Sequence, residues 1–90
     1  MMGVARSEII ARVNRTLQDE FEIAVDKIAP DKRLREDLDL DSLDAVDMIA
    51  ALEQGLHIRI DEERAKKIRT VGDVYDFVEG MLAEADAAPH

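Results

Sequence analysis

The sequence predicts an all-α protein, a small four-helix bundle with three longer helices, one short helix and a long first loop. Three observations lead to that expectation. Apolar residues recur at helical spacing in three separate stretches. The 90 residues include no Cys and no Trp, two Phe and one Tyr, so a core must be built from Leu, Ile, Val, Met and Ala, a composition that favours helices. Between the first and second stretches, Pro30 and irregularly spaced aliphatic residues interrupt any sustained period.

The first helix is expected to start near Ser7, a good N-cap, with Ile10, Val13 and Leu17 on its buried stripe and Ile9 and Phe21 beside it. Arg6, Arg12, Arg15 and Asp19 lie off that stripe and read as a solvated face. From Glu22 to Asp41 a long connection follows, pinned by Ile23, Val25, Ile28, Leu34, Leu38 and Leu40, with room for a short helical turn around Val25 to Ile28. Structureless connections of this length are uncommon in small domains and hint at function.

The second helix opens at the Asp41/Ser42 boundary, where Asp41 can cap and Asp44 stands three residues on, as in a capping box. Ala45, Met48, Ile49, Leu52 and Leu56 form its core stripe, and Leu43, Val46 and Ala50 form a flanking apolar strip wide enough to meet a partner. Asp61 caps a short third helix over Glu62 to Ile68. Thr70, with Asp73 three residues later, caps the last, whose core stripe is Val71, Val74, Tyr75, Val78 and Leu82. One domain spans 1–90, its core about 7–83, and the tail 84–90 is expected to be disordered.

Composition also narrows function. Twelve basic against 21 acidic residues leave a net charge of −9, which repels nucleic acid and anionic membranes. The N-terminus lacks a signal-like apolar run and nowhere do about 18 apolar residues follow one another, so no signal peptide or span is expected and the location is read as cytoplasmic. Without cysteine there is no thiolate nucleophile, and any thiol chemistry must arrive on something covalently added.

Between Glu36 and Ile58 stand seven acids and neither Lys nor Arg. A solvated acidic face explains the charge equally well until one notices that the run surrounds a single hydroxyl, Ser42, at a helix N-terminus. Asp37, Asp39 and Asp41 imitate the first ligands of an EF-hand, yet its sixth position is Ser42 instead of Gly and its twelfth is Met48 instead of Glu, so that reading fails. A looser cation site there ranks behind ordinary screening by ions. A hydrolase triad on Ser42 would need a positioned base, and His57 and His90 have no convincing orienting partners.

The segment DLDLDSLDAVDMIAALE, followed by LHIRIDEERAKKI and TVGDV, closely resembles the bacterial acyl carrier protein family, freestanding type, with Asp41-Ser42-Leu43 as the attachment motif. The resemblance runs from about Ile9 to Leu82. It implies a non-catalytic carrier in fatty acid or lipid biosynthesis, with 4'-phosphopantetheine attached to Ser42 between Asp41 and Leu43. A phosphopantetheinyl transferase would take the group from coenzyme A, with Mg for that transferase and no resident metal. Asp41, Leu43, Asp44, Val46, Asp47, Ala50 and Glu53 would face partner enzymes with basic patches that load, condense or transfer acyl groups. Met48, Leu52, Ile60 and Ile68 would line an acyl pocket, and the protein would be a monomer. Rival readings are a carrier of polyketide or aminoacyl intermediates and an unmodified acidic helical adaptor.

The sequence departs from the family in places. Asp39 stands where Gly is usual, three residues before the serine; Asp61 replaces a proline; and Gly55 and Leu56 replace an acidic and aromatic pair. With Arg59, Arg64, Lys66, Lys67 and Arg69 making the third-helix region basic, these changes point to a carrier specialised for one pathway.

Overall fold

Four helices form in the order expected, α1 (Arg6–Phe21), α2 (Ser42–Leu56), α3 (Glu62–Ala65) and α4 (Val71–Ala87), with one 3₁₀ turn at Val25–Lys27 inside the first connection. The computed structural model describes residues 5–87. Among these there is no strand, only an isolated bridge between Arg33 and Thr70.

The core follows the periodic stripes. Ile9, Val13 and Leu17 of α1, Met48 and Leu52 of α2, and Val71, Val74, Tyr75 and Val78 of α4 are buried together, joined by Leu34, Leu40, Ile60 and Ala65 from the connections and α3. α1 packs against both α2 and α4. The Tyr75 hydroxyl donates to Asn14 Oδ1 across the α1–α4 seam, so the one buried phenol of the core has its partner. Burial pushes that phenol above its ordinary pKa.

Three expectations about boundaries shift. α1 begins at Arg6, with Ala5 in extended conformation as N-cap and no side-chain cap, instead of at a Ser7 cap. The Arg6 guanidinium reaches α4, 2.8 Å from Asp76 and 2.7 Å from Glu79, a tertiary contact that draws residue 6 into the helix. α3 ends at Ala65 instead of Ile68; Lys66 and Lys67 form a turn that leads Ile68 back toward the core. α4 continues to Ala87, beyond the expected core boundary at 83, and residues 88–90 of the expected tail lie outside the described residues.

The long connection is ordered by backbone stitches to the start of α4. Leu34 N donates to Arg69 O at 2.9 Å, Val71 N to Lys32 O at 3.0 Å and Gly72 N to Pro30 O at 2.9 Å. Gly72 allows this approach: a Cβ there would lie 3.0 Å from the Pro30 carbonyl oxygen. Asp37 closes the loop from the other side, accepting from Arg33 N at 2.7 Å and from the Arg33 guanidinium, which holds its carboxyl below the usual range. Leu34 and Leu40 are the buried pins, while Val25, expected among them, is 61% exposed on its 3₁₀ turn.

Candidate functional site around Ser42

Ser42 is the first residue of α2, and Asp41 is its N-cap. Asp41 Oδ1 accepts from Asp44 N at 2.9 Å, and Asp44 Oδ2 accepts from Asp41 N at 3.1 Å, a complete reciprocal capping box. Two of the four donors that a helix start leaves open are thereby used or replaced, and Ala45 N closes onto Asp41 O at 3.0 Å. Among the described residues the amides of Ser42 and Leu43 meet no protein acceptor. Ser42 is exposed, and its hydroxyl makes no hydrogen bond among the described residues. A reachable hydroxyl thus sits beside free helix-start amides and the positive dipole end, a setting that suits a phosphate.

The backbone leading to it passes through Asp39 at φ 58, in the left-handed region. That is the position where the resemblance expects glycine. An L-residue pays about 1–2 kcal/mol for this conformation, less for Asp than for most. Asp39→Gly should therefore raise the urea midpoint, by the equivalent of about 0.5–1 kcal/mol. Asp39→Asn, which keeps the Cβ and drops the charge, separates the backbone effect from relief of acidic crowding.

The expected docking residues fall in three settings. Leu43 at 74% and Val46 at 56% are large apolar side chains open to solvent, with Ala50 and Asp47 exposed beside them. Asp41 and Asp44 are turned onto the backbone of their own helix start. Glu53 is half-buried and accepts from Ile60 N at 2.8 Å through Oε2. Sequence reasoning overlooked that bond because it spans an irregular turn whose path no periodicity reveals. The carboxylates of Asp37, Asp39 and Asp41 are not gathered into a donor set among the described residues.

Of the expected acyl-pocket residues, Met48, Leu52 and Ile60 are buried and Ile68 is half-buried against them. Leu52 also floors a groove of about 640 Å³ between α1 and α2, whose walls include Arg12, Arg15, Thr16, Ala51 and Gly55. Met48, Ile60 and Ile68 do not open onto it. No helix of the described residues is long and apolar enough to cross a membrane.

A family model described as Phosphopantetheine attachment site matches residues 8–78, which bracket this helix start. The chain belongs to that family. It is 38% identical over 78 residues to an acyl carrier protein of Thermosynechococcus vestitus, covering 87% of this chain and 96% of the relative. It is 40% identical over 80 residues to acyl carrier protein 2 of Ralstonia nicotianae, covering 89% and 99%. The fold matches the crystal structure of an acyl carrier protein from Thermotoga maritima with a TM-score of 0.78 at 28% identity, over 90% of this chain and 94% of that one. The four-helix architecture expected from the sequence is thus that of acyl carrier proteins.

Proposed function

We propose that this protein carries acyl intermediates on a 4'-phosphopantetheine arm attached through the Ser42 hydroxyl, and that it catalyses nothing itself. The observation that supports this most directly is an exposed serine at the first position of a capped helix, in a chain of the phosphopantetheine attachment family. The residues present fit the group. Ser42 Oγ would be the attachment atom, and the Ser42 and Leu43 amides with the α2 dipole would offset the repulsion between a phosphodiester and the nearby carboxylates. The arm supplies, when bound, the terminal thiol that a cysteine-free chain lacks.

Asp41 and Asp44 then act mainly by holding the helix start in register, while Leu43, Val46, Ala50 and Asp47 meet the partner. Candidate partners are the transferase that attaches the arm, using coenzyme A and Mg, and cytoplasmic enzymes of fatty acid or lipid biosynthesis that bear basic patches. An exposed carboxylate steers such encounters and is screened by salt, over about 10 Å at 0.1 M. Met48, Leu52, Ile60 and Ile68 would lodge the acyl chain, since aliphatic and Met side chains repack around varied shapes.

Incubation with coenzyme A and a phosphopantetheinyl transferase, read by intact mass, tests the carrier reading; no gain with several transferases would favour the unmodified adaptor. Charge reversal tests the surface. Asp47→Lys should slow arm transfer several-fold at low salt, with the gap closing as salt rises, and leave Tm unchanged. Asp44→Lys should in addition lose about 0.5–2 kcal/mol of stability with its cap, and Asp44→Glu should keep both properties. Equal transfer rates for wild type and Asp47→Lys at low salt would remove Asp47 from the docking surface.

A further inference from the structure

We propose that Glu53 is a positioning residue of the acyl site, its carboxylate holding the α2–α3 turn closed over the interior; this rests on the reading of Met48, Leu52 and Ile60 as the lodging of the acyl chain. Both the backbone and the side chain of Glu53 bond to that turn. Its carbonyl accepts from His57 N and from Ile58 N at 3.2 Å, and its Oε2 accepts from Ile60 N at 2.8 Å. His57 sits in the left-handed region at φ 56, so the chain reverses within a residue of the helix end and brings Ile60 back against the core.

The position is an unfavourable one for an acid. Glu53 lies in the last turn of α2, near the negative end of the helix dipole, where no basic residue balances it. What offsets this is the amide of Ile60, a part-buried donor that would otherwise go without a partner.

The strap that follows is short of regular structure. α3 is a single turn, too short to be stable alone. Among the described residues, Ala65 N, Lys67 N and Ile68 N bond within the strap, to Asp61 O, Arg64 O and Ala65 O. At its far end Asp73 Oδ2 accepts from Arg69 N at 3.0 Å and Thr70 N at 3.1 Å. Ile60 and Ala65 are its buried side chains, with Ile58 and Ile68 half-buried. Further ties come from Leu34 N, which donates to Arg69 O at 2.9 Å, and from Arg64, whose guanidinium lies 6.0 Å from the Phe77 ring centroid. With one turn of helix and two buried side chains, the strap opens more readily than the α1–α4 seam. Met48 and Ile60 are buried and do not open onto the groove between α1 and α2, so an alkyl chain would enter beside them where the strap yields, and Glu53 sets how readily it does.

Two readouts test this on the arm-loaded protein. Amide hydrogen exchange of Ile60 should speed up about tenfold in Glu53→Ala, with Val13 and Val74 amides unchanged, and Glu53→Gln, which keeps an acceptor oxygen, should restore protection. Cleavage of the thioester by hydroxylamine should be slower for an octanoyl than for an acetyl load in wild type. Glu53→Ala should erase most of that difference by speeding octanoyl cleavage alone, and Glu53→Gln should restore it. Should Glu53→Ala fold poorly, Glu53→Met fills the same space without an acceptor and is read identically.

Unchanged Ile60 exchange, or an equal effect on both acyl loads, overturns the proposal. Equal cleavage of both loads in wild type also overturns it, because the chain is then not lodged inside. The carrier reading survives that outcome, since it stands on the mass gain at Ser42.

Discussion

Ser42→Ala is expected to take up no phosphopantetheine under conditions that convert the wild type completely, as read by intact mass after incubation with coenzyme A and a transferase. The same variant should keep its helical circular dichroism and its Tm within about 3 °C of wild type. The hydroxyl is exposed and makes no hydrogen bond among the described residues, and the α2 cap is supplied by Asp41 and Asp44. Alanine is also a good residue in a helical first turn. The two readouts oppose each other usefully. A variant that stays unmodified and unfolds would mean that the serine is structural, and one that is still modified would mean that the arm is attached elsewhere.

Leu17→Ala is the other large effect. Leu17 is 0% exposed, in the middle of the seam that α1 makes with α2 and α4. Truncating a buried leucine costs about 2–5 kcal/mol through lost transfer energy and the cavity left behind. Against a total stability of roughly 5–15 kcal/mol that is a large share, and for a domain of this size Tm should fall by at least about 10 °C. Arg15→Ala, two residues away on the exposed side of the same helix, should stay within about 0.5 kcal/mol of wild type. A Leu17→Ala protein that melts with the wild type would contradict the packing of α1 described above.

Much of this fold could be read from the residues because its signals are local. Asp41 with Asp44, and Thr70 with Asp73, each announce a helix start three residues apart, and both pairs form reciprocal caps: Thr70 Oγ1 accepts from Asp73 N at 3.1 Å while Asp73 Oδ2 accepts from Thr70 N. The core stripes of α1, α2 and α4 follow from a 3.6-residue period that needs no knowledge of the partner helix. The placement of Ser42 at a capped helix start within an acidic run was legible for the same reason.

What escaped is non-local. α1 starts one residue before Ser7 because Arg6 finds Asp76 and Glu79 on the opposite helix, and no pattern within the first ten residues encodes that meeting. Val25, apolar and so expected among the loop's buried pins, is left in solvent by its 3₁₀ turn. Glu53 looked like one more acid of the α2 face, and only the path of the turn after His57 reveals its bond to Ile60. Asp39 lies between these cases. The departure from glycine was visible in the sequence, and the structure adds that the backbone there does take a positive φ.

The stitches between the long connection and the start of α4 have a mechanical consequence. Because Leu40 N bonds Leu34 O, Leu34 N bonds Arg69 O, and Val71 and Gly72 are tied to Lys32 and Pro30, the base of the proposed arm is braced against a helix distant in sequence. A tug from an enzyme gripping the far end of the arm would load this brace as a strut, so the anchor stays still. The radius within which the cargo can be delivered is then set by the length of the tether, and each docked enzyme meets the same fixed pivot.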